Sequence, residues 1–310
     1  MLAYVRGRLL LAIPTVLAVS FITFFLGWLA PGDPIDVLLG QHSGPAIRAR
    51  LRHEYGLDRP PLVQYADFVW KALHGDLGRS FSNNSRPVAE MIADHFPETA
   101  KLACMALAAA LFVGLPAGVF SALRHNRWAD RITMGAVLLS VSLPPFVLAS
   151  LMMLGFSLQL GWLPAAGWNG PEYWVMPVAV LAVRPAALIA RFMRASMLEV
   201  LGQDYIRTAL AKGLSPLQVI RRHALKNAFL PVLTVLGSTF GYLLTGSFVV
   251  ETIFNIPGIG YESVQSILRR DYPVIQGVAL LVAVVFVLVN LVVDVLYCVV
   301  DPRVRYEEAR

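Results

Sequence analysis

The sequence contains few of the residue patterns that carry out catalysis or bind metals. It has no G-x-x-x-x-G-K-S/T phosphate-binding loop, which predicts that the chain does not hydrolyse ATP itself. His53 and Glu54 are not followed by the second histidine of a zinc protease, and no G-x-S-x-G nucleophile elbow occurs. Cys104 and Cys298 are far apart and have no metal-ligand spacing. We therefore expect no catalytic residue, no metal site and no cofactor in this chain.

Three polar side chains inside long apolar stretches are the remaining candidates for chemistry. Arg184 lies near the middle of one stretch, where a buried charge costs at least about 2.5–3.5 kcal/mol on insertion scales. It should therefore either line a polar pathway and meet a solute carboxylate, or pair with a carboxylate or carbonyl of the protein. Asn290 and Asp294 lie one helical turn apart on another stretch, either on the pathway or as structural braces. Asp294 is placed to pair with Arg191 or Arg194.

These residues need a membrane-spanning scaffold, and the composition predicts one. Of the 310 residues, 57% are hydrophobic and only 15% are charged, whereas soluble domains have about 25% charged residues. Pro144 and Pro145 predict a kink in the third of six long apolar stretches. The first stretch is too long for a signal-peptide core and lacks a small-x-small cleavage site, so we expect it to be retained. The six stretches reach the roughly 20 residues that cross a hydrocarbon core, at 9–30, 99–123, 132–160, 175–195, 228–250 and 274–300.

The distribution of basic residues predicts the orientation of these stretches. Lys and Arg are concentrated at both termini, after the second stretch and between the fourth and fifth, and they are few after the third and fifth. Under the positive-inside rule both termini lie in the cytoplasm. Because the excess charge lies beside the apolar stretches, the net charge of +6 does not indicate nucleic-acid binding.

The same topology predicts three parts of the chain. Residues 1–30 form the N-terminus and first span, residues 31–98 form an extracytoplasmic helical subdomain, and residues 99–310 form the core with the remaining five spans. The long loop 31–98 carries several basic residues, but long loops are translocated largely regardless of charge. Glu251, just beyond the fifth span, is predicted to lie at the outer water interface.

The segment 202–227, between the fourth and fifth stretches, has the clearest local signals. Asp204 can cap a short helix that ends at Gly213, a residue type that commonly terminates helices. Ser215, Pro216 and Gln218 then start a second helix as a capping box with proline at its first position. A rigid helix pair of this kind either transmits movement from a partner protein or lies on lipid headgroups. The apolar residues of the second helix are predicted to share one face: Leu217, Ile220 and Ala224.

Residues 204–213 (Asp-Tyr-Ile-Arg-Thr-Ala-Leu-Ala-Lys-Gly) and 223–231 (His-Ala-Leu-Lys-Asn-Ala-Phe-Leu-Pro) resemble the coupling loop of ABC-importer permeases, in the version of the dipeptide, oligopeptide, glutathione and nickel group. The wider superfamily has an acidic Glu-Ala-Ala start where this chain has Arg207, Thr208 and Ala209, so no role of that glutamate is carried over. The resemblance covers nearly the whole chain through short motifs in a fixed order, which begin at Pro31, Tyr55, Gly75, Arg86, Val250, Asp271, Asn290 and Asp301.

This resemblance implies an all-α polytopic fold of the type I ABC importer, with six transmembrane helices in the bacterial cytoplasmic (inner) membrane. The chain would be the B-type permease of a pair and would form half of a pathway for short peptides. Its implied partners are a second homologous permease, two cytoplasmic ATPase subunits that bind ATP and Mg²⁺, an extracytoplasmic solute-binding protein and the lipid bilayer. The implied ATPase-coupling residues are Asp204, Arg207, Thr208, Ala209, Lys212, Gly213, Ser215, Pro216, Leu217, Ile220 and His223. The implied binding-protein docking residues are Gly75, Asp76, Arg79, Pro257, Gly258 and Gly260.

Other classes of function stay open at this point. An ion-coupled secondary transporter would need acidic or asparagine-rich ion sites in broken spans, and Asp294 is the only carboxylate inside a predicted span. An intramembrane enzyme would need a paired nucleophile and base inside the spans, and no such pair is visible. Within the importer family, glutathione, nickel or another small solute is an alternative cargo to short peptides.

Overall fold

The computed structural model describes residues 2–29, 35, 44–83 and 85–300. Within these ranges the chain is almost entirely helical, and the only strand-like pairing is an isolated bridge between Arg79 and Pro87. The contacts divide the chain into two compact units. The first unit comprises residues 1–5, 100–243 and 288–310, and the second comprises residues 6–99 and 244–287. The predicted all-α fold is confirmed.

The helices follow one another in chain order with short connections. Two of them are extended by π-helical turns, which continue α6 over Met153–Gln159 and join α9 to α10 over Ile220–Ala224. The helices are α1 (Leu2–Leu29), α2 (Pro45–Glu54), α3 (Pro61–Leu73), α4 (Val88–Leu123), α5 (Trp128–Ser142), α6 (Pro145–Met152), α7 (Pro171–Leu201), α8 (Asp204–Ala211), α9 (Pro216–Val219), α10 (Leu225–Ala228), α11 (Leu230–Leu244), α12 (Phe248–Ile253), α13 (Ile259–Leu268) and α14 (Tyr272–Val300).

Four helices of the described chain are long and apolar enough to cross a membrane, in α1, α4, α7 and α14. Two bent helix pairs raise the number to as many as six if each pair is one span. The pair α5 and α6 is bent by 102°, at the Pro144-Pro145 step where the sequence predicts a kink. The second pair, α9–α10 and α11, is bent by 49°. Helix α11 ends at Leu244 rather than at residue 250, and α12 follows as a separate short helix.

In the first unit, α4 and α7 pack closely through two glycines of α4. A Cβ atom on Gly114 would lie 2.6 Å from the Ala186 carbonyl oxygen, and one on Gly118 would lie 2.6 Å from the Ala190 carbonyl oxygen. Only glycine therefore permits this approach, as is common where small residues four apart bring membrane helices together. The apolar core beneath the contact includes Ile189, Met193, Met197, Ile206, Val219, Ala224, Ala228 and Val232.

A buried carboxylate ties α5 to α7 in the same unit. Asp130 accepts hydrogen bonds from Nε and Nη2 of Arg194, each at 2.7 Å, and from the Asn126 backbone N–H at 2.9 Å. The Ser121 hydroxyl donates a further hydrogen bond to it. Two parallel N–H···O bonds are the strong, geometrically specific form of an arginine–carboxylate pair. Arg194 therefore pairs with Asp130. The side chain of Asp294 lies outside the described part of the chain, so its predicted pairing with Arg191 or Arg194 stays a prediction.

The second unit has a core of its own and a second buried carboxylate. Asp271 accepts hydrogen bonds from the backbone N–H groups of Phe81 and Ser82, each at 3.0 Å, and from the hydroxyl groups of Ser80 and Ser82. It thereby fixes the loop before α4 to the start of α14. The apolar core of this unit is formed by Val88, Met91, Ile259, Val274 and Val278.

Candidate functional site

The first candidate site is the coupling segment, residues 202–227, whose first helix is α8. The residue before this helix, Gln203, has an extended backbone and makes no side-chain capping hydrogen bond. Asp204 is therefore the first helical residue rather than the cap, which corrects the prediction. Its Oδ1 lies 3.7 Å from Nη1 of Arg207, and a carboxylate in the first turn is also favourable for the helix dipole.

Helix α8 ends in a Schellman motif at Gly213, as the sequence predicts. Gly213 has φ +84°, its N–H donates to the Leu210 carbonyl at 2.9 Å, and the Leu214 N–H donates to the Ala209 carbonyl at 3.3 Å. These are the two hydrogen bonds that define the motif. Because a side chain is strained at this φ, the residue type fixes the direction in which the chain leaves α8.

The second helix of the segment begins with the predicted capping box. The Ser215 N–H donates to Oε1 of Gln218 at 3.0 Å, and the Gln218 N–H donates to Oγ of Ser215 at 3.4 Å. Pro216 occupies the first helical position, where its missing N–H leaves no broken hydrogen bond. Helices α8 and α9 are therefore separated by a connection that is fixed on both sides.

The face that this second helix buries differs from the prediction. Val219, Ala224 and Ala228 are buried, whereas Leu217 is 56% exposed. The physical reason is the π-helical stretch Ile220–Ala224, in which i→i+5 hydrogen bonding brings residues five apart into line. Val219 thus takes the inward position that the α-helical period assigns to Leu217.

The segment consequently presents a mixed apolar and basic surface while its base is anchored. Nδ2 of Asn227 donates to Oη of Tyr205 at 2.9 Å, which ties the end of the segment to α8. Of the predicted coupling residues, Ala209 is buried beneath the surface, Ile220 and His223 are half-buried, and the other eight are exposed. The exposed apolar residues are Tyr205, Leu210 and Leu217, and the exposed basic residues are Arg207, Lys212, Arg221, Arg222 and Lys226.

The three polar residues predicted inside spans have different surroundings. Arg184 lies on α7, is exposed and has no hydrogen bond or ion pair to any residue that the structure describes. Asn290 lies on α14 and is half-buried. Asp294 lies on the same helix, but its side chain is outside the described part. In the described chain no group of three or more His, Cys, Asp or Glu residues could hold a metal ion.

The predicted docking residues lie in two loops of the second unit and, for Gly260, at the start of α13, and hydrogen bonds hold each loop. Asp76 Oδ1 accepts from the Gly78 N–H at 2.9 Å, and Nη1 of Arg79 donates to the Ser85 carbonyl at 3.1 Å. At the other loop, Nδ1 of His95, a residue of α4, is 2.9 Å from the Pro257 carbonyl oxygen. Since a carbonyl can only accept, this ring nitrogen carries the proton. Gly75 has φ +80°, a backbone conformation that favours glycine.

The second of these loops surrounds Glu251, for which the predicted position at the water interface is wrong. Glu251 is fully buried, with 0% exposure, rather than at the water interface. Its Oε1 accepts from the Ser247 N–H at 3.1 Å and the Thr99 hydroxyl at 3.2 Å, and its Oε2 accepts from the Gly260 N–H at 2.7 Å and the Tyr261 N–H at 3.1 Å. Burial raises the pKa of the Glu251 carboxyl above its ordinary value, and the four donors counteract part of that rise.

Two predicted docking glycines belong to this Glu251 cradle. A Cβ atom on Gly258 would lie 2.5 Å from Oγ1 of Thr99, and one on Gly260 would lie 2.9 Å from Oε2 of Glu251. Both positions therefore exclude a side chain. The pattern Pro-Gly-x-Gly a few residues after a lone glutamate is the sequence signal from which a buried carboxylate could have been found.

Residues 114–306 match the family described as binding-protein-dependent transport system inner membrane component, and residues 1–103 match its N-terminal family. The glutathione transport system permease protein GsiC of Escherichia coli is 43% identical over 307 residues, covering 99% of this chain and 100% of the relative. A Brucella abortus protein named "Putative peptide transport system permease protein" is 44% identical over 315 residues, covering 99% of this chain and 100% of the relative.

Two solved structures share the fold at low sequence identity. The inward-facing MetNI methionine ABC transporter has a TM-score of 0.59 at 20% identity, covering 68% of this chain and 96% of that chain. An amino acid ABC transporter crystallised with histidines has a TM-score of 0.51 at 19% identity, covering 67% of this chain and 93% of that chain.

Proposed function

Because the chain belongs to the family of binding-protein-dependent transport system inner-membrane components, we propose that it forms half of an ATP-driven import pathway for short peptides. It is a multi-pass permease of the bacterial cytoplasmic membrane. Short peptides are the proposed cargo because one relative is named for peptides and the other for glutathione, itself a tripeptide. The second half of the pathway is a homologous permease, and ATP and Mg²⁺ bind to separate ATPase subunits.

The coupling segment is the single observation that supports this role most strongly. Its two helices are capped at Gly213 and Ser215, and they rest on buried Ile206, Ala209 and Val219. A segment fixed at its base and at its turn moves as a rigid body with α7, to whose end it is joined. Movement of an ATPase subunit against its exposed apolar and basic surface would therefore be transmitted to a membrane-spanning helix.

The alternative occupant of that surface is the layer of lipid headgroups. An interfacial helix binds through a large continuous apolar face. Here α8 spans only 8 residues and α9 only 4, and the chain turns sharply between them at Gly213. The exposed apolar residues Tyr205, Leu210 and Leu217 are thus divided between two short helices, which favours a concave protein partner.

The proposed docking surface for an extracytoplasmic solute-binding protein consists of the loops around Gly75–Arg79 and Pro257–Gly260. The observation that supports this surface is that its loop regions are held in place: Asp271 and Glu251 are buried carboxylates that fix them through multiple hydrogen bonds. A preformed loop loses little conformational entropy when a partner binds.

Affinity purification of the tagged chain from its native membrane, in mild detergent, tests the proposed function. We expect a second permease and ATPase subunits to co-purify in a fixed ratio. After reconstitution with the solute-binding protein, uptake of a radiolabelled dipeptide or tripeptide should require ATP on the cytoplasmic side. Uptake that is driven by an ion gradient without ATP, or a pure preparation that lacks any ATPase subunit, would contradict the proposal and support a secondary transporter.

A further inference from the structure

Arg184 is a charged residue near the middle of a membrane-spanning helix whose partner is not found in the described chain. Helix α7 runs from Pro171 to Leu201 and is apolar enough to cross a membrane. The Arg184 side chain is exposed and makes no hydrogen bond or ion pair with a described residue. The internal pair that the sequence left open as one role for Arg184 is therefore absent from the described part of the chain.

The direction of Arg184 on the helix follows from the face that α7 buries. Helix α7 contacts Gly114 and Gly118 of α4 through Ala186, Ala190 and Met193. At about 100° per residue, Arg184 lies between about 120° and 180° around the helix from these three positions. It therefore points away from α4 and from the core of its own unit.

Contact with lipid is energetically unfavourable for the face of α7 that carries Arg184. Placing an arginine at the centre of a bilayer costs at least about 2.5–3.5 kcal/mol on insertion scales. The Arg184 face must therefore meet water or another protein, and in a permease that forms half of a pathway the water-filled side is the pathway itself.

We propose that Arg184 lines the translocation pathway and binds the free carboxylate of the peptide as it passes. The inference rests on the proposed function and adds a substrate class, namely solutes that carry a carboxylate. Arginine suits this role because its planar fork of donors matches a carboxylate in a bidentate geometry.

The test uses the reconstituted complex of all subunits with its solute-binding protein. Uptake is measured for one tripeptide with a free C-terminus and for its C-terminal amide, in wild type, Arg184→Gln, Arg184→Lys and a matched control, Arg131→Gln. Arg131 is an exposed arginine on α5 whose side chain makes no hydrogen bond or ion pair with a described residue. Because the binding protein is the same in every sample, its own preference for the acid or the amide cancels when the acid-to-amide uptake ratio of a variant is compared with that of wild type.

We expect Arg184→Gln to lower this ratio by about ten- to a hundredfold, the effect of losing a charge-assisted hydrogen bond. Arg184→Lys should keep most of the ratio, and Arg131→Gln should equal wild type. In a background with Cys104→Ser and Cys298→Ser, the Arg184→Cys variant should react with a water-soluble thiol reagent, and the tripeptide should slow that reaction.

Each contrary result overturns the inference. An unchanged acid-to-amide uptake ratio in Arg184→Gln rules out a contact between Arg184 and the peptide carboxylate. A cysteine at position 184 that does not react indicates a buried contact with the partner permease. Loss of subunit assembly in Arg184→Gln indicates structural bracing. A wild-type complex without ATP-dependent uptake refutes the proposed function as well, whereas normal ATP-dependent uptake with an unchanged ratio refutes only the role of Arg184.

Discussion

Replacing Glu251 with glutamine keeps the shape of the side chain but removes one of its two acceptor oxygens. In the wild type each oxygen accepts two hydrogen bonds, Oε1 from Ser247 N–H and the Thr99 hydroxyl, and Oε2 from Gly260 N–H and Tyr261 N–H. The new NH₂ group can only donate, whereas the remaining carbonyl oxygen still accepts. Wherever it settles, at least one buried backbone N–H loses its acceptor.

The magnitude follows from this count of lost acceptors. If the amide nitrogen replaces Oε2, two backbone N–H groups are left unsatisfied; if it replaces Oε1, the Ser247 N–H is left while the Thr99 hydroxyl can rotate. Each unsatisfied buried donor costs about 1–3 kcal/mol. The loop 247–261 should therefore open more easily by at least about 1–3 kcal/mol, which corresponds to about ten- to a hundredfold less protection.

Hydrogen exchange measured by mass spectrometry on the chain in nanodiscs reports this local opening directly. Peptides that contain Gly260 and Tyr261 should exchange about ten- to a hundredfold faster in Glu251→Gln than in wild type. Glu262→Gln is the matched control, because among the described residues the Glu262 carboxylate has only a 3.4 Å hydrogen bond from Ser266 and a 3.7 Å contact with His95. Equal protection in wild type and Glu251→Gln, or an equal loss in both variants, would refute the reasoning.

Three further substitutions test the packing and the coupling segment. Gly118→Leu should lower the free energy of unfolding by at least about 1–3 kcal/mol through overpacking. Gly135→Leu is the control and should have no such effect, because nothing lies within 4 Å of a Cβ atom at that position. Scanning fluorimetry in detergent measures the stability of both variants. Gly213→Ala should destabilise α8 by about 1–2 kcal/mol, because residue 213 has a positive φ, and it should lower ATP-driven uptake. Gly202→Ala is the control and should leave uptake unchanged, because residue 202 has φ −80°. Asp130→Asn weakens the paired hydrogen bonds to Arg194 and should lower the free energy of unfolding by about 3 kcal/mol. A melting temperature equal to that of wild type would contradict a stabilising role for the Asp130–Arg194 pair.

The features that were predicted correctly from the sequence depend on neighbours a few residues apart. The helix end at Gly213 and the capping box at Ser215 are local chemistry, and the bend at Pro144 follows from a proline that cannot continue a helix. The buried face of the coupling segment was missed for an equally local reason. The sequence period does not show the π-helical turn at Ile220–Ala224, so Leu217 was predicted to share a face with Ala224, although Val219 takes that position.

The buried carboxylates were missed because their partners are distant along the chain. Glu251 is held by Thr99, and Asp130 is held by Arg194. Hydropathy assigns a lone carboxylate beside a span to the water interface, since it counts only neighbours in sequence. Burial becomes favourable only when the fold brings several donors to both carboxylate oxygens.

The most direct test of the central claim is to find what touches the exposed side of the coupling segment. A photoreactive amino acid at position 217, which is 56% exposed, is irradiated in intact membranes, with position 162 (a tryptophan 69% exposed) as the control. We predict that residue 217 cross-links to an ATPase subunit, identified by mass spectrometry, and that residue 162 does not. Cross-links from residue 217 to lipid alone would contradict it.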